Sequence, residues 1–198
     1  MKCLLVSCHP LPDSYGAALT RSALKGLAEG GHEVRHLDLY ALGFDPVLSP
    51  AERQTYLADT AQNIDALQPH VDALRWAEAL VCIYPTWMYG PPAMLKGWLD
   101  RVMLPGVAFN LSGHALVPIR GALRNLRAFV GITTSGAPWW WLKVVGDPGR
   151  SLFMKGLRPL FARRCRARWL QLHSMNYQSD RARQRFLARV QTQMSSLG

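Results

Sequence analysis

This 198-residue sequence lacks long apolar runs, and one half of it has few acidic residues. No apolar run approaches the ~18 residues of a membrane-spanning helix, so no membrane span is expected. Residues 101–198 carry 2 Asp or Glu against 16 Lys or Arg, whereas residues 1–100 carry 11 against 7. This basic half suits a phosphorylated ligand, nucleic acid, or simply a solvated helix face. Because the chain carries no nucleic-acid recognition motif, no nucleic-acid partner is expected.

Cysteine is sparse, and its four residues show none of the paired spacing that metal sites require. Three of them, Cys3, Cys8 and Cys82, fall in apolar runs. We therefore expect buried free thiols, no metal site and a reducing, cytoplasmic location. The start of the chain resembles a lipoprotein processing site ending at Cys8, but its apolar segment is shorter than the ~7–15 residues of a signal core. Export is therefore not expected.

Apolar runs alternate with segments of helical spacing along the chain. Continuous apolar stretches at Lys2–Ser7, Ala79–Tyr84 and Arg127–Thr133 are typical of parallel strands covered on both faces. Two further strands are predicted at Glu33–Leu39 and residues 166–173, and helices at residues 17–29, 51–66, 69–76, 92–103, 150–162 and 180–195. The alternation predicts an α/β fold: one domain, residues 1–198, with a doubly wound sheet of five parallel strands in the order 2-1-3-4-5 and helices on both faces.

The loop at residues 8–16 lies where such a sheet binds its ligand, beyond the carboxyl end of the first strand. It lacks the G-x-G-x-x-G fingerprint, which disfavours a standard nicotinamide-dinucleotide site. It offers instead His9, Ser14 and Tyr15 just before a helix. Free N–H groups and the helix dipole attract phosphate at such a position, so the loop predicts a phosphate-binding end of the site.

Two further loops at the same edge, residues 85–91 and 133–143, are rich in aromatic residues. The second contains three consecutive tryptophans, Trp139 to Trp141. Neither a strand nor a helix would direct three adjacent indoles to one side, so this run is expected in a loop. Aromatic loops facing a phosphate loop suit a planar phosphorylated ligand, of which a flavin is the simplest. The alternative is that these aromatic side chains merely cap a core.

The chain resembles the flavodoxin-fold NAD(P)H:quinone oxidoreductases, as a short, bacterial-type relative of DT-diaphorase. The matching segments occur in family order: HPLPDSYGAAL (9–19), GHEVRHLDLYALGFDPVLS (31–49), YPTWMYGPPAMLKGWLDRV (84–102), PGVAF (105–109) and TTSG (133–136). PAMLKGWLDRV is the most specific of them, whereas TTSG alone would be weak. The resemblance implies a flavodoxin-like α/β sheet and a homodimeric flavoprotein that uses FAD, or FMN as in some relatives.

By the same resemblance, NAD(P)H is the co-substrate, and a quinone or similar flat molecule is the electron acceptor. The expected cofactor-binding residues are His9, Ser14, Tyr15, Gly16, Ala18, Thr86, Trp87, Met88, Tyr89, Thr133, Thr134, Ser135, Gly136 and Arg183. The expected substrate-binding residues are Phe109, Trp139 and Trp140, which are also candidates for the boundary between two subunits. The three tryptophans are expected to form a wall against which the nicotinamide or quinone stacks.

Several positions depart from the family pattern. Gly16 stands where an asparagine is common, and Met88 stands where a tryptophan is usual. Trp141 takes the place of the catalytic tyrosine, and residues 137–172 contain no histidine to complete the usual pair. The indole N–H of Trp141 is therefore the candidate donor that replaces the tyrosine hydroxyl.

The function predicted from these residues is hydride transfer from NAD(P)H through a flavin to a quinone. Two alternatives from other classes are an electron carrier without an organic substrate and a flavin-bearing regulatory subunit of another protein. The net charge of +10 disfavours a carrier of the acidic flavodoxin kind. The altered tyrosine position, Trp141, fits a regulatory subunit.

Overall fold

A computed structural model describes residues 1–114 and 117–198, with residues 114, 117 and 118 described by their backbone alone. Its strands are β1 (Lys2–Ser7), β2 (Glu33–Asp38), β3 (Ala79–Pro85), β4 (Phe109–His114), β5 (Val117–Gly121), β6 (Ala128–Thr134) and β7 (Arg166–Leu172). Five of them form one parallel sheet in the order β2-β1-β3-β6-β7. Counted along this sheet alone, the order is 2-1-3-4-5, so the predicted fold class and strand order are confirmed.

The helices surround this sheet. They are α1 (Tyr15–Glu29), α2 (Pro50–Thr55), α3 (Thr60–Ala66), α4 (Gln68–Trp76), α5 (Ala93–Val102), α6 (Trp139–Val144), α7 (Pro148–Ser151) and α8 (Asp180–Ser195). A π-helical turn, Leu152–Leu157, continues from α7 into a 3-10 turn, Arg158–Leu160, and a second 3-10 turn spans Met175–Tyr177. None of the helices in the described ranges is long and apolar enough to cross a membrane.

Two hydrophobic cores lie on opposite faces of the sheet. Along β3, Leu80 and Cys82 point to the core that α4 and α5 cover, whereas Val81 and Ile83 point to the core under α1 and α8. Every second residue of a strand faces the same side, and both sides are covered, so each central strand is apolar throughout. This double burial is why the apolar runs predicted the central strands well.

Helices α1 and α8 pack against each other at close range. A Cβ added to Gly26 of α1 would lie 2.2 Å from the carbonyl oxygen of Gln191 in α8. The missing side chain therefore permits the approach. It brings the start of α1 and the start of α8 to the same edge of the sheet, where the Tyr15 hydroxyl donates a 2.8 Å hydrogen bond to the Arg183 carbonyl.

Two expectations about local structure were wrong. The predicted helix at 51–66 is two helices, α2 and α3. The segment predicted as helical at 150–162 is helical as far as Leu160, although it passes from α-helix to π-helix to 3-10 helix. The tryptophan run does not lie in a loop: it begins α6, which is anchored by the buried side chain of Leu142. The hairpin of β4 and β5 was not predicted.

Candidate functional site

The loops that follow β3 and β6 are joined by hydrogen bonds. The N–H of Thr86 donates to the carbonyl of Thr134 at 2.8 Å, and the hydroxyls of Thr86 and Thr133 are 2.9 Å apart. Thr133 is fully buried and Ser135 nearly so. The backbone is therefore fixed where the two loops leave the sheet, and the aromatic turn beyond Thr86 starts from a rigid base.

A tight turn then carries the aromatic residues of the first of these loops. Trp87 and Gly90 exchange two backbone hydrogen bonds, and the intervening Met88 and Tyr89 have φ of 44° and 65°. Positive φ at both central positions characterises a type I′ turn, which is costly for residues other than glycine and asparagine. The Tyr89 carbonyl accepts a 2.9 Å bond from the Gly149 N–H in α7, which secures the turn. Met88 projects from its tip with 93% of its surface exposed.

The phosphate-type loop precedes α1 as the sequence indicates. Ser14 caps this helix, its hydroxyl accepting the N–H of Ala17 at 3.1 Å, while the Ala18 N–H donates to the Ser14 carbonyl. Among hydrogen bonds of the described residues, none uses the N–H of Tyr15 or Gly16, which lie in the first turn. Such N–H groups at a helix N-terminus, together with the helix dipole, provide an anion-binding position.

The histidine ring of this loop explains one departure from the family pattern. A Cβ at Gly16 would lie 3.1 Å from Cδ2 of His9, which is tighter than an ordinary contact. The ring is held by its Nδ1, which accepts the Leu11 N–H at 3.0 Å, and its centre is 6.3 Å from the Trp87 ring. His9 thus occupies space that a larger residue at position 16 would need, and it links the phosphate-type loop to the aromatic turn.

The turn after β6 presents two further backbone donors. The Ser135 backbone is engaged, its N–H with Leu172 and its carbonyl with Met175. The N–H groups of Gly136 and Ala137, by contrast, have no hydrogen-bond partner in the parts of the chain that the structure covers. A Cβ on Gly136 would meet only the Asn176 amide, at 3.7 Å, so its backbone is open to a ligand.

A histidine that the sequence reasoning overlooked lies beside this turn. His173 comes directly after β7, one residue beyond the segment searched for the missing histidine, and its Nδ1 is 3.4 Å from the Ser135 hydroxyl. Burial lowers the pKa of His173 from its ordinary value, and the nearby Asp147 opposes that shift less strongly. The net shift favours the neutral form of the ring. The parallel register places it next to Thr134 and Ser135, which is how it could have been found.

The three tryptophans diverge from one another. Their exposures are 57% for Trp139, 53% for Trp140 and 40% for Trp141, so none of the three is buried in the core. The Trp141 Nε1 donates a 3.0 Å hydrogen bond to the Tyr89 hydroxyl, and its ring meets Trp140 edge to face at 5.7 Å. Trp139 faces another cavity, beside Lys143. A helical run spreads the indoles around its axis, so they do not form one continuous wall.

Two cavities meet the loops at this edge of the sheet. One of about 220 Å³ is lined by His9, Gly16 and Ala17 of the phosphate-type loop. The other, of about 310 Å³, is lined by Thr86, Met88, Tyr89, Ser135, Gly136, Ala137 and Leu142. The structure thus brings half of the fourteen predicted cofactor residues to the lining of these cavities, and it places Arg183 beside Tyr15. Phe109 lies elsewhere, in an apolar cavity of about 550 Å³ with Tyr56 and Ile119.

The cysteine thiols are inert. All four cysteines are buried and free, as expected. Burial raises the pKa of Cys8 to about 12 and that of Cys3 to about 11, so both are protonated at neutral pH. Burial likewise raises the pKa of Tyr15 to about 12, against a smaller opposing effect of Arg183. The arrangement offers no activated nucleophile here. It offers backbone donors, aromatic faces and neutral hydroxyls, which suit a flat ligand with a phosphate end.

The sequence of the chain is similar to those of known proteins. A sequence model of the flavodoxin-like fold family matches residues 1–194. The chain is 31% identical over 166 residues to ribosyldihydronicotinamide dehydrogenase [quinone] of Homo sapiens, covering 74% of the chain and 69% of the relative. It is 28% identical over 151 residues to NAD(P)H dehydrogenase [quinone] 1 of Rattus norvegicus, covering 69% of the chain and 54% of the relative.

A solved structure extends the likeness to the whole chain. Smu.1420 from Streptococcus mutans UA159 superposes with a TM-score of 0.85 and 30% identity, over 100% of both chains. In contrast, the chain spans about half the length of the first curated relatives it matches.

Proposed function

We propose, from the premise that the chain belongs to the flavodoxin-like family that includes the NAD(P)H:quinone oxidoreductases, that it is a flavin-dependent oxidoreductase. A bound flavin would supply two-electron hydride chemistry, from NAD(P)H to a quinone or a similar flat electrophile. The observation that carries the proposal is a pair of cavities at this edge of the sheet, one bordered by Gly136 and Ala137 and the other by the start of α1.

The phosphate end of the cofactor is assigned to the start of α1. The N–H groups of Tyr15 and Gly16 would hold phosphate oxygens there, supported by the helix dipole. The His9 ring borders the same cavity, and Ser14 and Ala18 set the first turn of the helix. Arg183 adds a cation at the position expected for the adenosine end, and its Nε is buried without a hydrogen-bond partner. An unsatisfied donor beside the phosphate loop favours FAD, with FMN as the alternative.

The ring end is assigned to the turns after β3 and β6. Trp87, Met88 and Tyr89 would provide one wall for a flavin ring, and the N–H groups of Gly136 and Ala137 would be available to hold its polar edge, where reduction would place negative charge. Fixed donors at such an edge stabilise the charge without reorganisation. Thr86, Thr133 and Thr134 hold the two turns together through the bonds described above.

The Tyr89 hydroxyl is assigned as the proton donor of the site. Since Trp141 donates to this oxygen, the hydroxyl's own proton remains free for a flat substrate over the ring. Trp141 is then a positioning residue: it orients Tyr89 and exchanges no proton itself. This differs from the sequence expectation, in which the Trp141 indole was the donor to the cofactor.

The assembly is proposed to be a homodimer. Phe109 lines an apolar cavity away from the cofactor residues. Nearby, Ile119 is 48% exposed and Leu111 is 56% exposed. Apolar surface of this kind supports a face that a second subunit covers. Phe109 would then act in the partner's substrate site. The buried free thiols support a reducing, cytoplasmic compartment, as for other proteins without disulfides.

The test of cofactor and class begins with the visible spectrum of the purified protein. A flavin absorbance, followed by mass spectrometry of what heating releases, would identify FAD or FMN. Addition of the bound flavin should raise the melting temperature, because a ligand at 100 times its dissociation constant adds ~2.7 kcal/mol. A colourless protein that neither flavin stabilises would contradict the proposal. Sedimentation with flavin present would show a dimer or only the 22.2 kDa chain.

A further inference from the structure

A second cavity, of about 640 Å³, lies on the other side of α6 from the proposed flavin ring. Helix α6 separates the two, since Leu142 borders the ring cavity while Trp139 and Lys143 border the second one. Its remaining wall comes from α7, the π-helical turn and the outer strand β7. We call it the cationic cavity. Its volume falls within the ~300–1,000 Å³ of small-molecule sites.

Five cations converge on the cationic cavity: Lys143, Arg150, Lys155, Arg158 and Arg189. No ion pair among the described residues involves any of the five. The one acidic residue in its lining is Asp147, whose carboxylate already accepts the Arg150 N–H as the cap of α7. Like charges gathered in one concave site raise the positive potential there and attract anions. Part of the strongly basic second half of the sequence is thus gathered at one point.

The cationic cavity also has an aromatic wall. Trp139 is more than half exposed, and the Lys143 ammonium lies 4.8 Å from the centre of its ring. Trp169 lines the inner side, its Nε1 bonded to the Gln171 side chain at 2.8 Å. Trp139 therefore offers a ring face to a flat group, next to ammonium and guanidinium groups that suit phosphate oxygens.

We infer that the cationic cavity binds a small phosphorylated aromatic molecule of the nucleotide class. The ring stacks on Trp139, and at least two phosphate charges meet Arg150, Lys155 and Arg158. A small molecule is favoured over nucleic acid because the cations surround one cavity of ligand size instead of following a track. Two kinds of molecule carry such a ring and phosphates: a free nucleotide, and a dinucleotide whose adenosine-phosphate end reaches around α6.

The test is calorimetric titration of ADP into the protein saturated with FAD, at 50 and 200 mM KCl. The flavin excludes ADP from the cofactor site, so one site per chain is expected, with affinity falling as salt rises. The double variant Arg150→Gln/Lys155→Gln removes two exposed cations that make no ion pair, and should weaken ADP binding at least tenfold. The matched control, Arg75→Gln/Arg164→Gln, removes the same charge from exposed positions outside the cavity and should stay within twofold.

Two further experiments distinguish binding of the ring from binding of the phosphates, and a free nucleotide from a dinucleotide. Trp139→Ala should weaken ADP binding but leave pyrophosphate binding unchanged. If the dinucleotide is the source, the Arg150→Gln/Lys155→Gln variant also raises the KM for NADPH while ADP competes with NADPH; if a free nucleotide is the source, the KM is unchanged. The inference is overturned by absent ADP binding at millimolar concentration, by equal affinity in both double variants, or by a short single-stranded oligonucleotide that binds tighter than ADP through the same two cations. The ADP, pyrophosphate and oligonucleotide titrations do not depend on turnover; only the comparison of KM for NADPH does.

Discussion

The Trp141 indole and the Tyr89 hydroxyl are hydrogen-bonded at 3.0 Å, joining the first turn of α6 to the turn after β3. Trp141 stands at the position where the family usually has a tyrosine, and Tyr89 lies in the aromatic turn. Tyr89 therefore supplies a tyrosine hydroxyl from the turn after β3 instead of from the Trp141 position. The strained backbone at Tyr89, with φ of 65°, is consistent with a residue held for function.

Removing the hydroxyl should slow the chemistry more than removing its partner. Tyr89→Phe is expected to lower the rate of quinone reduction about 100-fold, the lower end of what a positioned proton donor contributes. Trp141→Phe keeps a ring but loses the donor, and about a tenfold loss is expected. Stopped-flow half-reactions, with the flavin content measured in parallel, check both variants. A Tyr89→Phe protein that reduces quinone at the unmodified rate would refute the assignment.

The exposure of Trp141 predicts a small effect on stability. Trp141→Ala should lower the free energy of unfolding by less than about 1 kcal/mol, since the loss of a side chain that is 40% exposed leaves no sealed cavity. Trp98, a fully buried residue of α5, is the matched comparison, and its replacement by alanine should cost about 3–5 kcal/mol. Urea denaturation of the two variants measures the difference. Equal losses would mean that Trp141 packs as a core residue.

The sequence predicted the sheet well and the ends of the site less well, for physical reasons. Buried parallel strands such as β3 and β6 must be apolar on both faces, and that pattern is visible without a structure. Short helices are different, because a six-residue helix such as α6 is stabilised by tertiary anchors instead of by its own propensity. The Leu142 anchor and the Asp147 backbone at φ 44°, just beyond the helix, depend on contacts that no local pattern encodes.

The site residues show the same division. The loops at the carboxyl edge were predicted from strand order alone, because parallel strands place those loops together. His173 was overlooked because it directly follows the last strand, whose end meets Ser135 only through the parallel register. The Trp141–Tyr89 bond joins residues 52 positions apart. Nothing in either segment indicates it until α6 is known to be a helix.

A glycine in β6 allows a tryptophan to lie across the sheet. A Cβ on Gly131 would fall 2.2 Å from the ring of Trp169 on the neighbouring strand. Gly131→Ala should therefore cost about 1–3 kcal/mol, as overpacking does in a close-packed core. Gly156→Ala is the control, since its Cβ would meet only a methyl group of Leu152 at 3.8 Å. Thermal melts compare the two, and an unchanged melting temperature for Gly131→Ala would contradict this packing.

The ion pair between Arg101 and Glu52 predicts how the stability of the fold decreases at acid pH. The Arg101 guanidinium contacts Glu52 at 2.6 Å with both side chains nearly buried. Burial alone would raise the pKa of Glu52, but the Ser49 N–H and Arg101 together hold it below its ordinary value of 4.5. A depressed pKa stabilises the fold above the unfolded value, and this contribution disappears as pH falls through the folded pKa.

Glu52→Gln should therefore lower stability near neutral pH by about 3 kcal/mol and flatten the fall in stability below about pH 4.5, because it leaves the guanidinium without its charged partner. The exposed pair of Lys96 and Asp100 provides the control, and Asp100→Asn should change stability by only about 0.5 kcal/mol. Urea denaturation from pH 3 to 7 measures both curves. Parallel acid limbs in the unmodified and Glu52→Gln proteins would argue against the pair.

The central claim, hydride transfer through a flavin held at this edge of the sheet, is tested most directly by an anaerobic titration of the purified flavin-loaded protein. NADH or NADPH should bleach the flavin absorbance with one equivalent of donor per flavin, and one equivalent of a simple benzoquinone should restore it. A flavin band that persists with excess of both donors would contradict the account, as would a bleached band that no quinone restores.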